Sequence, residues 1–389
     1  MYLADKTVKL WKIQERLARQ AGSFNVQHGR FGGYVPVRKL KLPSLSEAEK
    51  TVAAVPKRLY NNAHAYHINS ISLNSDGMTF LSADDLRINL WSLENSKCSF
   101  NIVDIKPSAM EMLTEVITAA RFHPRHCHVF AYSSSRGSIK LGDMREEALC
   151  DEHAKSYEET DDTHKNYFSE ITASVSDIQF SKDGLHIFSR DYLSVKVWDL
   201  RMENRPVHTV PIHAHLAPHL HYLYENDCIF DKFDVSVSPD GGHFVTGSYG
   251  DRFCVYDSAG KTETSMELGR VGPVPPSAHS SVTGAHPDVD TLDLNRKVLH
   301  CSWHPHADCV AVAGLNNLFI YNADRVGGHV PLPGNSGSAA PDSLYRKELG
   351  ADFHISAETA HEAGDPFAAF RPSNAADYSN RKQAVHNGS

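Results

Sequence analysis

The sequence lacks the features that mark membrane, secreted and zinc-binding proteins. Its 389 residues contain no apolar run near the roughly 18 residues that a membrane-spanning helix needs. The first residues, MYLADKTVKLWKI, have no long apolar core after a basic head, unlike a secretory signal. The seven cysteines are scattered and include no Cys-x-x-Cys pair, which argues against disulfides and a zinc knuckle. We expect a protein of the cytoplasm or the nucleus with no membrane partner.

Catalytic motifs are missing as well. The sequence has no nucleophile elbow, no phosphate-binding glycine loop and no paired-metal motif. It also has no sustained helical heptad, although short helical turns within loops are compatible with it. We therefore expect no enzymatic activity, no cofactor and no bound metal.

Positive charge is scarce outside the first 60 residues. Residues 1–60 contain 12 Lys/Arg and 4 Asp/Glu, a net charge of +8. The remainder then holds 27 Lys/Arg and 43 Asp/Glu, a net charge of −16. Because phosphate contacts need clustered positive charge, the acidic part is not expected to bind nucleic acid. The asymmetry favours two different partner surfaces.

Six segments share an alternation of apolar and polar residues, and most of them end in an aromatic residue. They are DKTVKLW (5–11), DDLRINLW (84–91), RGSIKLG (136–142), RDYLSVKVW (190–198), YGDRFCVY (249–256) and LNNLFIY (315–321). A period of two predicts half-buried β-strands. The recurrence along the chain predicts a repeat protein.

A tight turn precedes most of these strands at a nearly constant distance. The Asp-Gly pairs at Asp76, Asp183 and Asp240 lie 15, 15 and 16 residues before the aromatic end of the strand. Asp-Gly suits such a turn because Gly accepts positive φ and Asp hydrogen-bonds its own backbone. With one Trp-Asp pair at Trp198–Asp199, the pattern predicts an all-β fold of WD-repeat β-propeller blades. Five full units are predicted, at about 63–105, 110–165, 168–212, 224–270 and 288–324.

The remaining segments set the predicted domain boundaries. Residues 1–13 leave room for only the last strand of a truncated blade, and 14–62 form a basic inserted arm or hairpin. Residues 63–324 hold the five blades. The Gly-, Ser-, Ala-, Pro- and His-rich residues 325–389 are predicted to be a disordered tail. Five blades and one strand would form an open or incomplete ring with unpaired edges.

The adjacent carboxylates Asp84 and Asp85 leave several interpretations open. They can be turn residues, a docking point for a basic partner, or an acid/base or metal pair. The last needs a pocket and a partner acid/base group or bound metal, whereas a propeller hairpin offers a flat face. Turn structure is the most economical interpretation, followed by docking.

Two other charged or metal-binding patterns also have ordinary explanations. HAHLAPHLH places four histidines, at 213, 215, 219 and 221, where they could bind Zn²⁺ or Ni²⁺, but no Cys or carboxylate ligand lies at a matching spacing. A histidine-rich surface turn between blades is favoured. The run Glu146–Asp162 holds eight carboxylates and one Lys, and it is either a solvated loop or part of an acidic field that attracts basic partners.

Four longer stretches identify a specific resemblance. YHINSISLNSDGMTFLSADDLRINLW, FNIVDIKPSAMEMLTEVITAARFHP, SRDYLSVKVWDLRMENRP and LYENDCIFDKF are similar, in the same order, to the B-type (55-kilodalton) regulatory subunits of protein phosphatase 2A. The resemblance covers about residues 1–324. It implies a seven-bladed WD-repeat propeller without catalytic activity, of which this chain lacks the first blade and most of the second.

The resemblance also implies a substrate-binding groove on the top face of the propeller. By their positions in the shared motifs, its residues would be Asp85, Glu111, Leu113, Val116, Tyr224, Glu225, Asp227, Phe230 and Lys232. Asp85 would then be the docking carboxylate, and Asp84 would hold the turn. Leu113 and Val116 would belong to an exposed apolar patch with an acidic rim that accepts amphipathic helical motifs.

The implied function is that of a noncatalytic regulatory subunit. Its expected partners are a helical-repeat scaffold subunit, the phosphatase catalytic subunit, and phosphoserine or phosphothreonine substrates with basic flanks. The basic arm would contact the scaffold, and we assign that contact to Arg30, Arg38, Lys39 and Lys41. The alternative is a generic WD-repeat interaction scaffold that no longer assembles with the phosphatase, which the absence of two blades would favour.

Overall fold

The computed structural model describes residues 6–22, 27–28, 34–35, 44–147, 149–150, 154–159, 167–269 and 293–322. The first element is a long antiparallel ribbon of β1 (Val8–Gly22) and β4 (Ser44–Tyr60). Between them along the chain, β2 (Gln27–His28) pairs with β3 (Tyr34–Val35). The ribbon's base packs against the sheet that follows, since Val8 and Leu10 contact the buried cluster of Tyr60, Phe80 and Trp91.

Five antiparallel sheets then follow one another, each built from consecutive strands. The first contains β5 (Ser70–Leu73), β6 (Thr79–Ala83), β7 (Arg87–Ser92) and β8 (Ser99–Asp104). The second contains β9 (Ile117–Phe122), β10 (Val129–Ser134), β11 (Ile139–Asp143) and β12 (Lys155–Tyr157). The third contains β13 (Asp177–Phe180), β14 (His186–Arg190), β15 (Ser194–Asp199) and β16 (His208–Pro211).

The fourth sheet contains β17 (Val235–Val237), β18 (His243–Gly247), β19 (Arg252–Asp257) and β20 (Glu263–Glu267). The fifth contains β21 (His300–Trp303), β22 (Cys309–Gly314) and β23 (Asn317–Asn322). Helical structure is short: α1 (Tyr167–Thr172), α2 (Leu220–Glu225) and the 3-10 turns Met110–Met112, Ala214–His219 and Cys228–Phe230. The predicted all-β class is confirmed.

Neighbouring sheets share a hydrophobic core, as β15 illustrates. On one face, Trp198 packs with Ile139 and Tyr157 of the second sheet. On the other face, Val195 packs with Phe244 of the fourth sheet. A sheet between two neighbours is therefore buried on both faces, which is how stacked propeller blades hide their apolar surface. It also explains why the central strands carry so few exposed side chains.

The predicted Asp-Gly turns adopt the backbone that the sequence demands. Gly77, Gly184 and Gly241 have φ of 65°, 75° and 73°. The Asp76 carboxylate accepts hydrogen bonds from the backbone N–H groups of Met78 and Thr79, at 2.8 and 3.0 Å. The aspartate side chains therefore stabilise these turns through hydrogen bonds to the backbone.

Two of these glycines provide a matched test of the packing around the turns. A Cβ at Gly184 would lie 2.3 Å from the His123 ring, whereas a Cβ at Gly77 would meet nothing within 4 Å. Both substitutions force a positive φ on alanine, at about 1 kcal/mol. We expect Gly77→Ala to lower the unfolding free energy by about 1 kcal/mol, and Gly184→Ala to cost a further ~1–3 kcal/mol through overpacking. Denaturant titrations measure both changes, and an equal loss of unfolding free energy in the two variants would contradict the close contact with His123.

Some predicted boundaries differ from the structure. The strand that begins the chain does not end at residue 13, because β1 continues to Gly22 and pairs with β4 from Val8↔Tyr60 to Gly22↔Ser44. Residues 1–13 and 14–62 therefore do not separate into a blade strand and an arm. The fifth unit, predicted as a full blade, has three strands among the described residues. The open ring stays a prediction, and residues 325–389 lie outside the described residues.

Candidate functional site

The predicted groove residues lie in connections at one end of the sheets. Successive turns of an antiparallel sheet alternate between its two ends, so the connections after the second and fourth strands share an end. The groove residues occur after β6, β8 and β16, which are second or fourth strands. Hydrogen bonds tie this end together across sheets: Asn69 Nδ2 donates to Ile117 O at 2.7 Å, and Ser176 Oγ to Phe233 O at 2.7 Å. The fold thus gathers distant segments on one face.

Asp84 is a buried structural residue. Its Oδ1 accepts hydrogen bonds from the backbone N–H groups of Leu86 and Arg87, at 2.8 and 2.7 Å. Its Oδ2 accepts from His64 Nδ1 at 2.9 Å, and Ser82 and Trp91 continue the network. Burial would raise the pKa of Asp84, but these hydrogen bonds outweigh it and lower the pKa. The carboxylate therefore stays charged to hold the β6–β7 turn.

Asp85 has a different environment one residue later. It is half-buried, and its backbone carbonyl accepts a hydrogen bond from Ile117 N at 2.8 Å, which places it beside the start of β9. Burial raises the pKa of Asp85, and the positive charge of Lys232 acts in the opposite direction. Asp85 and Lys232, two predicted groove residues from separate connections, are therefore close enough for their charges to interact.

The β8–β9 connection supplies the second group of predicted residues. Glu111 is exposed on the 3-10 turn Met110–Met112, while Leu113 and Val116 are half-buried. Val116 N donates to Ser135 Oγ at 3.1 Å, so the β10–β11 turn fixes its backbone. Val116 also directly precedes Ile117, which bonds to Asp85. The connection thus presents partly accessible apolar side chains next to Asp85.

The β16–β17 connection supplies the third group, around an exposed aromatic pair. The ring centroids of Tyr224 and Phe230 are 5.8 Å apart, and Phe230 is 51% exposed. Glu225 and Asp227 lie between them in the chain and are also exposed. The result is an apolar surface with an acidic rim, a combination that suits amphipathic, basic segments.

Two aromatic residues that the sequence did not single out extend this surface. Tyr167 and Phe168 of α1 lie with ring centroids 6.1 and 5.9 Å from that of Tyr224. Phe168 also lines a groove of about 340 Å³ with Leu193 and Leu220. The sequence held one signal for these two residues, since they form an aromatic pair just after the acidic run Glu146–Asp162. Their role could not be predicted from it, because only the fold brings α1 against α2.

A buried carboxyl below this face provides a pH test. Asp177 Oδ1 accepts from Arg121 Nη2 at 3.1 Å, and Oδ2 from Val235 N at 3.3 Å, where the β16–β17 connection ends. Burial raises the pKa of Asp177 to about 6, Arg121 opposes this, and Asp234 adds to it. Because the folded state prefers the protonated acid, Asp177 contributes stability at low pH that is lost as pH rises through about 6.

We expect the variant Asp177→Asn to show this contribution. Relative to the variant, the wild-type chain should lose roughly 2 kcal/mol of unfolding free energy between pH 4 and 7.5. Chemical unfolding across that range measures the difference. Parallel stability curves for the two proteins would show that the Asp177 carboxyl has an ordinary pKa.

The four clustered histidines are separated by the structure. His213 is completely buried, with Nδ1 2.9 Å from Tyr192 O and Nε2 3.0 Å from Ser248 Oγ. The prediction of a surface turn is therefore wrong for His213, because it fills the core beneath the connections, whereas His219 and His221 are exposed. Within the part of the chain that the structure describes, no group of three or more His, Cys, Asp or Glu could hold a metal ion.

Other predicted residues are described only in part or not at all. Arg30, Arg38, Lys39 and Lys41 lie outside the described residues, as do several positions of the acidic run Glu146–Asp162. Within that run, Glu159 pairs with Lys196 at 2.7 Å. This carboxylate is therefore partly neutralised.

The stacked four-stranded sheets, with their connecting loops gathered at one end, define a repeat protein built from propeller blades. Residues 56–92 match the family model described as "WD domain, G-beta repeat". The matched segment includes β5, β6 and β7 and ends just after Trp91. The chain therefore contains a WD repeat, and proteins with such repeats generally act as noncatalytic interaction scaffolds. No helix among the described residues is long and apolar enough to cross a membrane.

Proposed function

We propose that this chain is a noncatalytic regulatory subunit of the protein phosphatase 2A holoenzyme, of the B-type (55-kilodalton) class. Its role is to select phosphoserine and phosphothreonine substrates for the catalytic subunit. The main support is the convergence of Asp85, Val116, Phe230 and Lys232, from three separate connections, on one end of the sheets. Sequence similarity to that class singled out these same residues.

The mechanism that fits this surface is recruitment. A substrate would place an apolar helical face on Leu113, Val116, Tyr224 and Phe230, and its basic residues on Asp85, Glu111, Glu225 and Asp227. Docking then raises the local concentration of the phosphosite beside the catalytic subunit. The chain itself supplies no reacting group.

The β1–β4 ribbon suits the contact with the helical-repeat scaffold. A two-stranded ribbon is at best marginally stable alone in water. Ile13 pairs with Ala54 and Glu15 with Val52, so Ile13 and Val52 share a face, and both are exposed. A partner that covers this face would stabilise the ribbon. The proposed assembly would operate in the cytoplasm and the nucleus.

Co-purification with the scaffold and catalytic subunits tests this function. The full chain should form a stable ternary complex, and removal of residues 16–51, which leaves the base of the ribbon, should abolish it. A folded chain that binds neither subunit would overturn the proposal.

The alternative is a WD-repeat interaction scaffold that acts without the phosphatase, which the WD-repeat match also supports. It predicts that partner capture persists when residues 16–51 are removed. It also predicts that no phosphatase activity accompanies the purified chain. The same truncated variant therefore separates the two functions.

A further inference from the structure

Two buried tyrosines, Tyr192 and Tyr249, form a hydrogen-bonded chain with the half-buried Asp231 and Lys297 beside the connection that carries Phe230, and none of the four is among the predicted groove residues. Tyr249 Oη is 2.9 Å from Asp231 Oδ2 and 3.0 Å from Cys228 O. Tyr192 Oη is 2.9 Å from Tyr249 Oη, and Lys297 Nζ is 2.5 Å from Asp231 Oδ1. We call these four side chains, Tyr192, Tyr249, Asp231 and Lys297, the support network.

The protons of this network can be assigned from its acceptors. Burial raises the pKa of both Tyr192 and Tyr249, so both hydroxyls keep their protons. Tyr249 has two acceptors nearby, the Asp231 carboxylate and the Cys228 carbonyl, so its single proton is donated there. Tyr192 must then be the donor to Tyr249. The hydroxyl of Tyr249 thus joins three groups at one point.

Each member of the support network comes from a different connection. Tyr192 lies between β14 and β15, Tyr249 between β18 and β19, and Lys297 just before β21. Asp231 stands between Phe230 and Lys232 in the β16–β17 connection, and its N–H donates to Cys228 O at 3.0 Å. Both carboxylate oxygens of Asp231 are therefore held from other parts of the fold, and this fixes the backbone that carries Phe230 and Lys232.

The surroundings of the network make it rigid. Tyr192, Cys228, Phe233 and Tyr249 belong to one buried apolar cluster below the connections. The Phe233 and Tyr249 rings contact each other with centroids 5.2 Å apart. In such an apolar environment a hydrogen bond is strong and its loss is costly, because no water replaces it. Loss of one tyrosine hydroxyl from the support network should therefore make the β16–β17 connection less rigid.

We propose that Tyr249 and Asp231 are positioning residues that set the presentation of Phe230 and Lys232, and thereby the affinity of the docking face. They act through the connection and do not contact the ligand. This inference rests on the proposed function for its binding consequence. Its structural consequence, a fixed Cys228–Asp234 backbone, does not depend on that function.

The variant Tyr249→Phe tests it, with Tyr256→Phe as the matched control. Tyr256 is also a buried tyrosine of the fourth sheet, but it lies on β19 and packs against Phe244. The probe is a synthetic amphipathic helical peptide with leucines on one face and arginines on the other. We expect Tyr249→Phe to weaken probe binding about tenfold. Tyr256→Phe should change it by less than about twofold, as expected for a site away from the network.

Two further measurements separate positioning from general destabilisation. Amide hydrogen exchange of the 226–234 segment should speed up in Tyr249→Phe and stay unchanged in Tyr256→Phe. In a double-mutant cycle, Tyr249→Phe and Phe230→Ala should be non-additive in probe affinity, because they affect one contact. Additive effects, or equal losses in both tyrosine variants, would overturn the proposal.

The outcomes also distinguish this inference from the proposed function. If the wild-type chain does not bind the probe, the proposed docking function fails, and hydrogen exchange alone decides the positioning role. Faster exchange at 226–234 then supports that role. Unchanged exchange in Tyr249→Phe refutes it whether or not the probe binds.

Discussion

Substitution Asp85→Lys is expected to reduce the affinity of the chain for basic, amphipathic ligands by at least about 30-fold, which corresponds to the loss of a partly desolvated charge pair. The replaced carboxylate is half-buried on the docking face and lies near Lys232. A lysine there would both remove the attraction for a basic ligand and add repulsion next to Lys232. Binding of the arginine-bearing helical peptide by calorimetry measures the change.

The control for this prediction is Glu94→Lys, which makes the same charge change at the other end of the sheets. Glu94 is exposed and lies in the β7–β8 connection. If the effect of Asp85→Lys were only one of net charge, both variants would lose affinity equally and both losses would vanish at high salt. A loss confined to Asp85→Lys identifies the docking face. Equal losses would remove Asp85 from the site.

The sequence predicted the strands well because their information is local. The alternation in DDLRINLW and RDYLSVKVW and the Asp-Gly turns ahead of them correspond to β7, β15 and the positive φ of Gly77 and Gly184. Propeller blades consist of short consecutive hairpins, so each is specified by residues close in the chain. The length of β1 was missed, because a ribbon that continues past Trp11 depends on its pairing with Ser44–Tyr60.

The sequence predicted which residues belong to the candidate site, but not how they are arranged in space. No local pattern brings Asp85 near Lys232 or places Tyr167 against Tyr224, since these residues lie in connections that are far apart in the chain. Burial of His213 was missed for the same reason: its partners Tyr192 and Ser248 come from the neighbouring turns. The two adjacent aspartates show the limit most clearly. Their side chains are identical, so the residues alone left their roles open. The family resemblance assigned Asp84 to the turn, and the fold gives the physical reason, which is the burial of Asp84.

Replacement of each aspartate by alanine is therefore expected to have a large effect of a different kind at each position, on stability at Asp84 and on ligand binding at Asp85. We expect Asp84→Ala to lower the unfolding free energy by ~3–5 kcal/mol, as for loss of one partner from a buried pair. The reason is that Leu86 N, Arg87 N and His64 all lose their acceptor. Asp85→Ala should cost about 1 kcal/mol or less, as a half-exposed substitution, yet it should weaken ligand binding.

The pH dependence of unfolding provides an independent check on Asp84. Its pKa is lowered in the folded chain, so its carboxylate contributes stability above its ordinary pKa of about 3.8, and this is lost as pH falls through the lower folded value. Asp84→Ala should remove that acid-side loss, whereas Asp85→Ala should leave it in place. Denaturant unfolding and peptide binding, measured on both variants, therefore form a two-by-two test. If Asp84→Ala were stable and lost binding while Asp85→Ala unfolded, the assignment of turn and docking residues would be reversed.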